Sequence, residues 1–367
     1  MALVSNKQNK VLCSPSLTEE TTGTLTSLSN LPVYLIPEIL SRLPVKPLLQ
    51  LRCVCKSWKS LISDPIFAKK HLALSTRYSL HDICFPPEYV LKSYSLDSVL
   101  TNIAQIEIPS NLYGYFSYFF GSCNGILCLA VDGPDFLLVR LWNPSIRKFK
   151  ELPPLSEPYN FDTWMYGFGY DSTSDNYKVV VVLHPCDEIK VHTLGTDSWR
   201  SVSVFPFTGV YVQESGQYVS GTINWLVYME NQQGQCFIAS LDLGNESYQK
   251  VLLPDYGEKD ANTYLTVFRN CLCMISREDV WVMKEYGNKE SWNKLFTLSY
   301  VPDPCTSSYS NIQTKYVFEN DQVLLICKGD DQRWKYISYN RKKNTSNIIE
   351  FQKTLEICVE SLISSCF

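Results

Sequence analysis

The chain has 367 residues, 45% of them hydrophobic and 19% charged, with a formal net charge of −4. That length suits a small domain joined to a large one. The slight negative balance excludes a general attraction to nucleic acid or to an anionic membrane. The first ten residues are polar with no apolar stretch behind them, and no run approaches the ~18 apolar residues of a membrane span. The 14 cysteines are therefore expected as reduced thiols of an intracellular protein, in the cytoplasm, the nucleus or both. Cys53/Cys55 and Cys271/Cys273 are C-x-C pairs and no C-x-x-C occurs, so small buried hydrophobes are expected rather than a metal site.

Residues 1–30 are expected to be a disordered leader, since Ser14–Asn30 is rich in Ser and Thr and poor in large apolar side chains. From Leu31 to Leu74 the pattern is helical and cut by prolines. Pro37, Pro47 and Pro65 suit first helical positions, where a missing N–H does no harm. Asp64 is a good N-cap ahead of Pro65. This predicts short helices over 37–43, 47–54, 56–62 and 65–74, each marginal alone. Their apolar residues do not share one face. Ile36, Ile39, Leu40 and Leu43 form one set; Leu48, Leu51, Val54, Cys55 and Trp58 form another; Leu49, Leu61 and Ile62 are left for an internal core. A unit of roughly 40 residues hides too little of its surface, so the excess is expected to be buried on a second protein or on the rest of the chain.

After Leu74 the pattern becomes short strand-like runs rich in aromatics, among them FLLVRLW (Phe136–Trp142), YKVVVVL (Tyr177–Leu183), CLCMIS (Cys271–Ser276) and QVLLICK (Gln322–Lys328). Asn124-Gly125 suits a tight hairpin turn. One plan recurs: a strand, a polar turn, an aromatic or aliphatic anchor, and a second short strand. The anchors are Ile106, Phe149, Trp199, Tyr248, Trp292 and Ile348, at roughly 43- to 56-residue intervals, near the period of propeller blades. Each unit has an apolar face that needs a neighbour, so the units should stack around a ring. The predicted fold is a small all-α N-terminal module followed by a large all-β domain, a β-propeller, with a β-sandwich as the alternative. Alternation in LEICVESLIS (Leu355–Ser364) predicts a strand that closes the ring or covers its edge. Trp199, Trp225, Trp281, Trp292 and Trp334 are expected as blade-core anchors.

The motifs of catalysis are missing: there is no G-x-S-x-G, P-loop or H-E-x-x-H. Gly167-Phe-Gly169 lacks the third glycine of a dinucleotide loop and is expected in a hairpin. His184-Pro-Cys186 has only His192 near it in sequence, and a loop or core role is expected. No catalytic residue, cofactor or metal is expected.

Leu31-Pro32 followed by EILSRLPVKPLLQLRCVCKSWKSLISDPIF (Glu38–Phe67) resembles an F-box over nearly the whole module. The match includes the R-C-V-C-K-x-W core and the S-D-P-x-F end. F-boxes bind the Skp adaptor of cullin-based SCF ubiquitin ligases. By matching positions, the resemblance implies an adaptor-facing set of Leu31, Pro32, Ile36, Ile39, Leu40, Leu43, Pro44, Leu48, Leu51, Val54, Cys55 and Trp58. GSCNGILCL (Gly121–Leu129), LWNPSIRKFKELPPL (Leu141–Leu155), YGFGYDSTSDNYKVV (Tyr166–Val180), SGTINWLV (Ser220–Val227) and VESLIS (Val359–Ser364) resemble the F-box-associated domain of the large plant F-box family. That domain is kelch-like, although the kelch double glycine is absent here.

The implied organisation is a leader over 1–30, an F-box over 31–74 and an F-box-associated domain over 75–367. The implied function is a non-catalytic substrate-recognition subunit: F-box to the Skp adaptor and through it to cullin, β-domain to an unknown target protein, with no nucleic acid or membrane partner. Two polar loops, Gly257–Tyr264 and Val301–Gln313, suit target contact, with Tyr256, Tyr264 and Tyr309 as the candidate anchors. The alternatives are an F-box lectin or small-ligand sensor, whose β-domain binds a glycan or metabolite, and a propeller enzyme, which the missing motifs disfavour.

Overall fold

The computed structural model describes residues 32, 34–84, 90–95, 103–107, 116–132, 136–155, 164–183, 187–207, 209–229, 235–255, 263–276, 279–297, 313–317, 322–328, 334–340, 342–343, 345–349 and 355–364. The expected leader lies outside them. Four helices open the described chain: α1 (Leu35–Leu40), α2 (Val45–Leu51), α3 (Lys56–Ile62) and α4 (Pro65–Leu74). α1 and α2 start two residues before Pro37 and Pro47 and stop short of the expected ends. Both prolines still lie in a first turn, whose N–H groups have no acceptor within the helix, so neither breaks a hydrogen bond. α4 starts as the sequence predicts. The Asp64 carboxylate accepts the backbone N–H groups of Ile66 at 2.7 Å and Phe67 at 3.3 Å, and Pro65 takes the first helical position.

The strands fall into successive four-stranded blades. β1 (Tyr78–Cys84), β2 (Val90–Ser95) and β3 (Ile103–Glu107) belong to the first. β4 (Phe116–Cys123), β5 (Ile126–Asp132), β6 (Leu137–Asn143) and β7 (Lys148–Glu151) make the second. β8 (Trp164–Asp171), β9 (Asn176–Leu183), β10 (Glu188–Thr193) and β11 (Arg200–Val204) make the third. The fourth has β12 (Val210–Tyr211), β13 (Gln217–Val219), β14 (Thr222–Met229), β15 (Gln235–Asp242) and β16 (Tyr248–Val251), with β12 and β13 as two halves of one broken strand. β17 (Thr263–Phe268), β18 (Cys271–Ser276), β19 (Asp279–Met283) and β20 (Trp292–Thr297) make the fifth. β21 (Gln313–Val317), β22 (Gln322–Lys328), β23 (Trp334–Asn340) and β24 (Thr345–Ile349) make the sixth. β25 (Leu355–Val359) returns to the first blade and pairs antiparallel with β1, from Leu355↔Asp82 to Val359↔Tyr78. The innermost strands β25, β4, β8, β13, β17 and β21 follow one another around the ring. The fold is a six-bladed β-propeller, not a sandwich, and the expected closing strand is β25.

All six repeat anchors lie on, or directly before, the outermost strand of a blade. Two of them show why an indole suits that place. Trp199 Nε1 donates to the Pro153 carbonyl of the second blade at 2.7 Å, and Trp292 Nε1 donates to the Leu252 carbonyl of the fourth at 3.1 Å. Each reaches back to the preceding blade. Blades therefore pack face to face, and a middle strand such as β9 is buried along nearly its whole length.

The stretches that carried the family resemblance meet in space. Asn124 and Gly125, with φ of 53° and 84°, make the two-residue turn between β4 and β5. A Cβ on Gly125 would lie 2.4 Å from Ser361, so the terminal segment passes where only glycine leaves room. Asn143, fully buried at the end of β6, donates to the carbonyls of Ser361 at 3.0 Å and Ile363 at 2.8 Å, and the Ser361 hydroxyl donates to the Asn124 carbonyl at 2.7 Å. CNG, LWN and ESLI thus form one clasp that holds the ring shut. Gly167-Phe-Gly169 is not a hairpin but the middle of β8. A Cβ on Gly169 would lie 2.3 Å from the Tyr218 ring, so the fourth blade comes too close for a side chain.

Because neighbouring strands alternate in direction, the turns from innermost to second strand of the second to fifth blades, and the end of β25 beside the start of β1, gather at one end of the ring. The helical module sits at that end. A single buried cluster joins Leu40, Val45, Leu48, Ile62, Phe67 and Ala68 to Phe120, Cys123 and Phe168 of the second and third blades and to Leu362 and Ile363. Lys69 on α4 reaches both carboxylate oxygens of Asp175, in the β8–β9 turn, at 2.5 and 2.7 Å. Ser75 Oγ donates to the Glu360 carbonyl at 3.2 Å.

Candidate functional site

The helical module has an inner and an outer side, and the structure divides the expected adaptor-facing set between them. Leu40 and Leu48 are buried, and the sequence reading is corrected here: their surface is already covered within the chain. The cause is the propeller, which supplies the core that a module of this size lacks. Ile62 is buried with them, and Leu49 and Leu61 pack against the same cluster, as an internal core requires. Ile36, Leu43, Leu51 and Trp58 lie at its margin, half-buried, and Pro44 is half-buried too. Ile39 and Val54 remain 46% and 63% exposed, and Pro32 and Cys55 are exposed too. Leu31 lies outside the described residues. Tyr34 and Ile66, absent from the expected set, are also exposed, at 73% and 78%. Nothing in a proline-cut sequence shows which side of so short a helix the ring will cover.

His71, buried on α4, donates from Nε2 to the Leu43 carbonyl at 2.9 Å and ties the chain after α1 to α4. Lys70 pairs with Glu38 across the same two elements. These contacts hold the outer side in one shape.

On the propeller, Tyr264 is corrected. It does not sit on a contact loop; it is buried on β17 in a cluster with Ile275, Val280, Phe296 and Val323. Burial pushes its phenol well above the ordinary range. Tyr256 and Tyr309, and most of both candidate loops, lie outside the described residues. Strand ends fix where those connections attach. The first joins the end of β16 to the start of β17 and the second the end of β20 to the start of β21, both at the end of the ring away from the helices.

A cavity of about 580 Å³ opens at the helical end of the ring, lined by Lys69, Ser122, Gln213, Tyr218, Arg269 and Glu356 among others. Several polar groups there are already satisfied internally. Gln213 exchanges two hydrogen bonds with the Leu265 backbone, Ser122 Oγ donates to the Ile357 carbonyl at 2.5 Å, and the Tyr218 hydroxyl donates to the Tyr170 carbonyl at 2.8 Å.

The buried charges also join blades. Lys178 on β9 lies 3.1 Å from Asp171 and 3.1 Å from Glu246 of the fourth blade, and Arg200 pairs with the same Glu246. Burial opposes the Asp171 charge, but hydrogen bonds from Ser174 and the Thr173 N–H, with the Lys178 ammonium, outweigh it and hold the carboxyl at about 2. Tryptophan fits this pattern: Trp225 Nε1 donates to the Tyr166 carbonyl of the third blade at 3.1 Å. Trp281 is half-buried, and the Trp334 side chain lies outside the described residues. His192 is buried on β10 and donates to the Thr196 carbonyl at 3.2 Å; His184 and Cys186 lie outside the described residues. Among the described residues, no group of three or more His, Cys, Asp or Glu could hold a metal ion, and no helix is long and apolar enough to cross a membrane.

Comparison with known proteins gives these parts their relatives. Residues 28–70 match the F-box domain, and residues 81–365 match the F-box associated beta propeller domain. The F-box/kelch-repeat protein At3g23880 of Arabidopsis thaliana is 34% identical over 310 residues, covering 78% of this chain and 84% of the relative. The F-box protein CPR1 of the same plant is 27% identical over 381 residues, covering 92% and 90%. Among solved structures, TolB from Acinetobacter baumannii aligns with a TM-score of 0.43 at 12% identity, over 81% of this chain and 73% of that one. By the match over the ring and by the Arabidopsis relatives, the chain belongs to the plant F-box proteins that carry an F-box-associated β-propeller.

Proposed function

We propose that this chain is the substrate-recognition subunit of an SCF ubiquitin ligase, with the outer side of the F-box bound to the Skp adaptor. The observation that carries the reading is the split of the F-box. Its inner side is covered by the ring, while Ile39 and Val54 are left 46% and 63% exposed beside half-buried Trp58, Ile36 and Leu43. A soluble module leaves such an apolar surface for a partner. The adaptor-facing set is then Pro32, Ile36, Ile39, Leu43, Pro44, Leu51, Val54, Cys55 and Trp58, with Leu31 at its start; Leu40 and Leu48 support it from behind.

The target protein binds at the far end of the ring, where the β16–β17 and β20–β21 connections attach and where Tyr256 and Tyr309 stand in the sequence. The work done is proximity. The chain holds a target lysine near the charged ubiquitin carrier and raises its effective concentration, with no bond made or broken by its own residues. Co-purification with a Skp adaptor tests the first half. Ile39→Asp with Val54→Asp should abolish the complex while leaving the melting temperature within a few degrees; a complex that survives in the folded variant rejects this face. Exchanging residues 257–262 and 301–312 for Gly/Ser should leave adaptor binding intact and abolish ubiquitination of a target. Ubiquitination that persists rejects the target site.

A further inference from the structure

One cluster on the F-box carries chemistry beyond the apolar adaptor face. Cys53 and Cys55 are both exposed, and they open onto a groove of about 560 Å³ whose other walls are Leu49, Arg52, Lys56 and Lys59. None of these three cations has an ion pair among the described residues, although Lys69 and Lys70 of the same module both do. Three uncompensated positive charges around two accessible thiols favour an anionic thiol or disulfide over a neutral or cationic one. The two thiols differ. Cys55 Sγ lies 3.1 Å from the Ser57 hydroxyl, and that contact, with the Trp58 backbone N–H after it, holds the Cys55 thiol below its ordinary value.

We propose that this groove is a modification site at which Cys55 forms a mixed disulfide with a small anionic thiol of the glutathione class, and that the adduct blocks the adaptor side of the F-box. The Cys55 thiolate attacks one sulfur of the glutathione disulfide. The S–S bond breaks, a Cys55–glutathione bond forms, and the second glutathione leaves as a thiolate that takes a proton from water. One thiol is oxidised and half of the disulfide is reduced, so the exchange balances. Glutathione carries net negative charge that Arg52, Lys56 and Lys59 meet. Val54, one residue away and exposed, would be covered by the bound tripeptide. The blocking half rests on the adaptor reading above; the chemical half does not.

The test uses the full chain with oxidised glutathione, which is anionic, and cystamine, which is cationic, with peptide mass mapping of the adduct. Relative to a free cysteine peptide, Cys55 should prefer glutathione disulfide over cystamine by about tenfold at low salt, and the preference should shrink at high salt. Lys56→Gln with Lys59→Gln, still folded by thermal melt, should remove most of it, and Cys53→Ser should keep it. Equal preference for the two disulfides, or reaction at Cys53 ahead of Cys55, overturns the site. In the second arm the glutathione adduct should retain adaptor about tenfold more weakly than the reduced chain, with binding restored by dithiothreitol. Undiminished binding by the adduct overturns the block and leaves the site standing. A reduced chain that binds no adaptor counts against the adaptor reading alone, since the adduct is read by mass.

Discussion

The F-box and the propeller solve the same burial problem in opposite ways. A blade has two faces and buries each on the next blade, so a closed ring leaves little apolar surface over. The F-box is too small for that. Its four short helices put Leu40, Leu48, Ile62 and Phe67 against the ring and leave Ile39, Val54 and Ile66 outside. One sequence pattern, apolar residues on several sides of a short helix, therefore carries two meanings. One side is core and the other is left open to solvent.

The strongest way to break this contrast is to open the ring. Deleting residues 354–367 removes β25 and the clasp around Asn143, and should abolish cooperative unfolding of the whole propeller in a thermal melt. A truncated chain that keeps its melting temperature shows that the ring does not depend on β25. The next effect separates core from interface. Leu48→Ala should cost about 2–5 kcal/mol of stability by denaturant titration, the usual result for a buried leucine. Val54→Ala should cost about 0.5 kcal/mol or less in stability but weaken adaptor binding by about 1 kcal/mol or more. Equal stability losses at the two positions would erase the distinction between the sides.

Acid should act on the ring next. His81 is buried on β1, its Nδ1 has no partner among the described residues, and burial lowers its pKa from 6.5 to about 3. The unfolded chain therefore binds one more proton between these values. The stability from neutral His81 is fully present above pH 6.5 and is lost progressively as pH falls toward 3. A loss of about 2 kcal/mol from this group is expected by pH 5, and His81→Leu should flatten that part of the curve. An unchanged slope in the variant places the acid sensitivity elsewhere. The smallest effect is at the junction. Lys69 and Asp175 are 51% and 62% exposed, so Asp175→Asn should change stability by only ~0–1 kcal/mol, less still in high salt. A larger loss would mean that the F-box orientation hangs on this one ion pair.

Much of the ring is legible in the chain because each blade repeats one chemical need. An anchor stands on or directly before the outermost strand of each blade, and two of them, Trp199 and Trp292, reach the preceding blade through the indole N–H. The helices are legible through their prolines and Asp64. What the sequence hides are choices made between distant segments. Leu40 and Ile39 are neighbours with equal hydropathic claims, and only the ring decides that one is core. Tyr264 looks like a loop aromatic until β17 is seen to begin at Thr263. Gly167-Phe-Gly169 reads as a turn because its reason, the approach of Tyr218 and Ile223, lies some fifty residues on.

β25 also sets an order in time. Its partner β1 leaves the ribosome well before it, and the pairing of Tyr78 with Val359 must wait until all the intervening blades have been made. At translation rates of about 5–20 residues per second the interval is on the order of tens of seconds. Throughout it the F-box helices are out and β1 shows a bare edge, open to pairing with other strands. A ribosome that stalls within the sixth blade would release a chain with its F-box helices made and its ring unclosed.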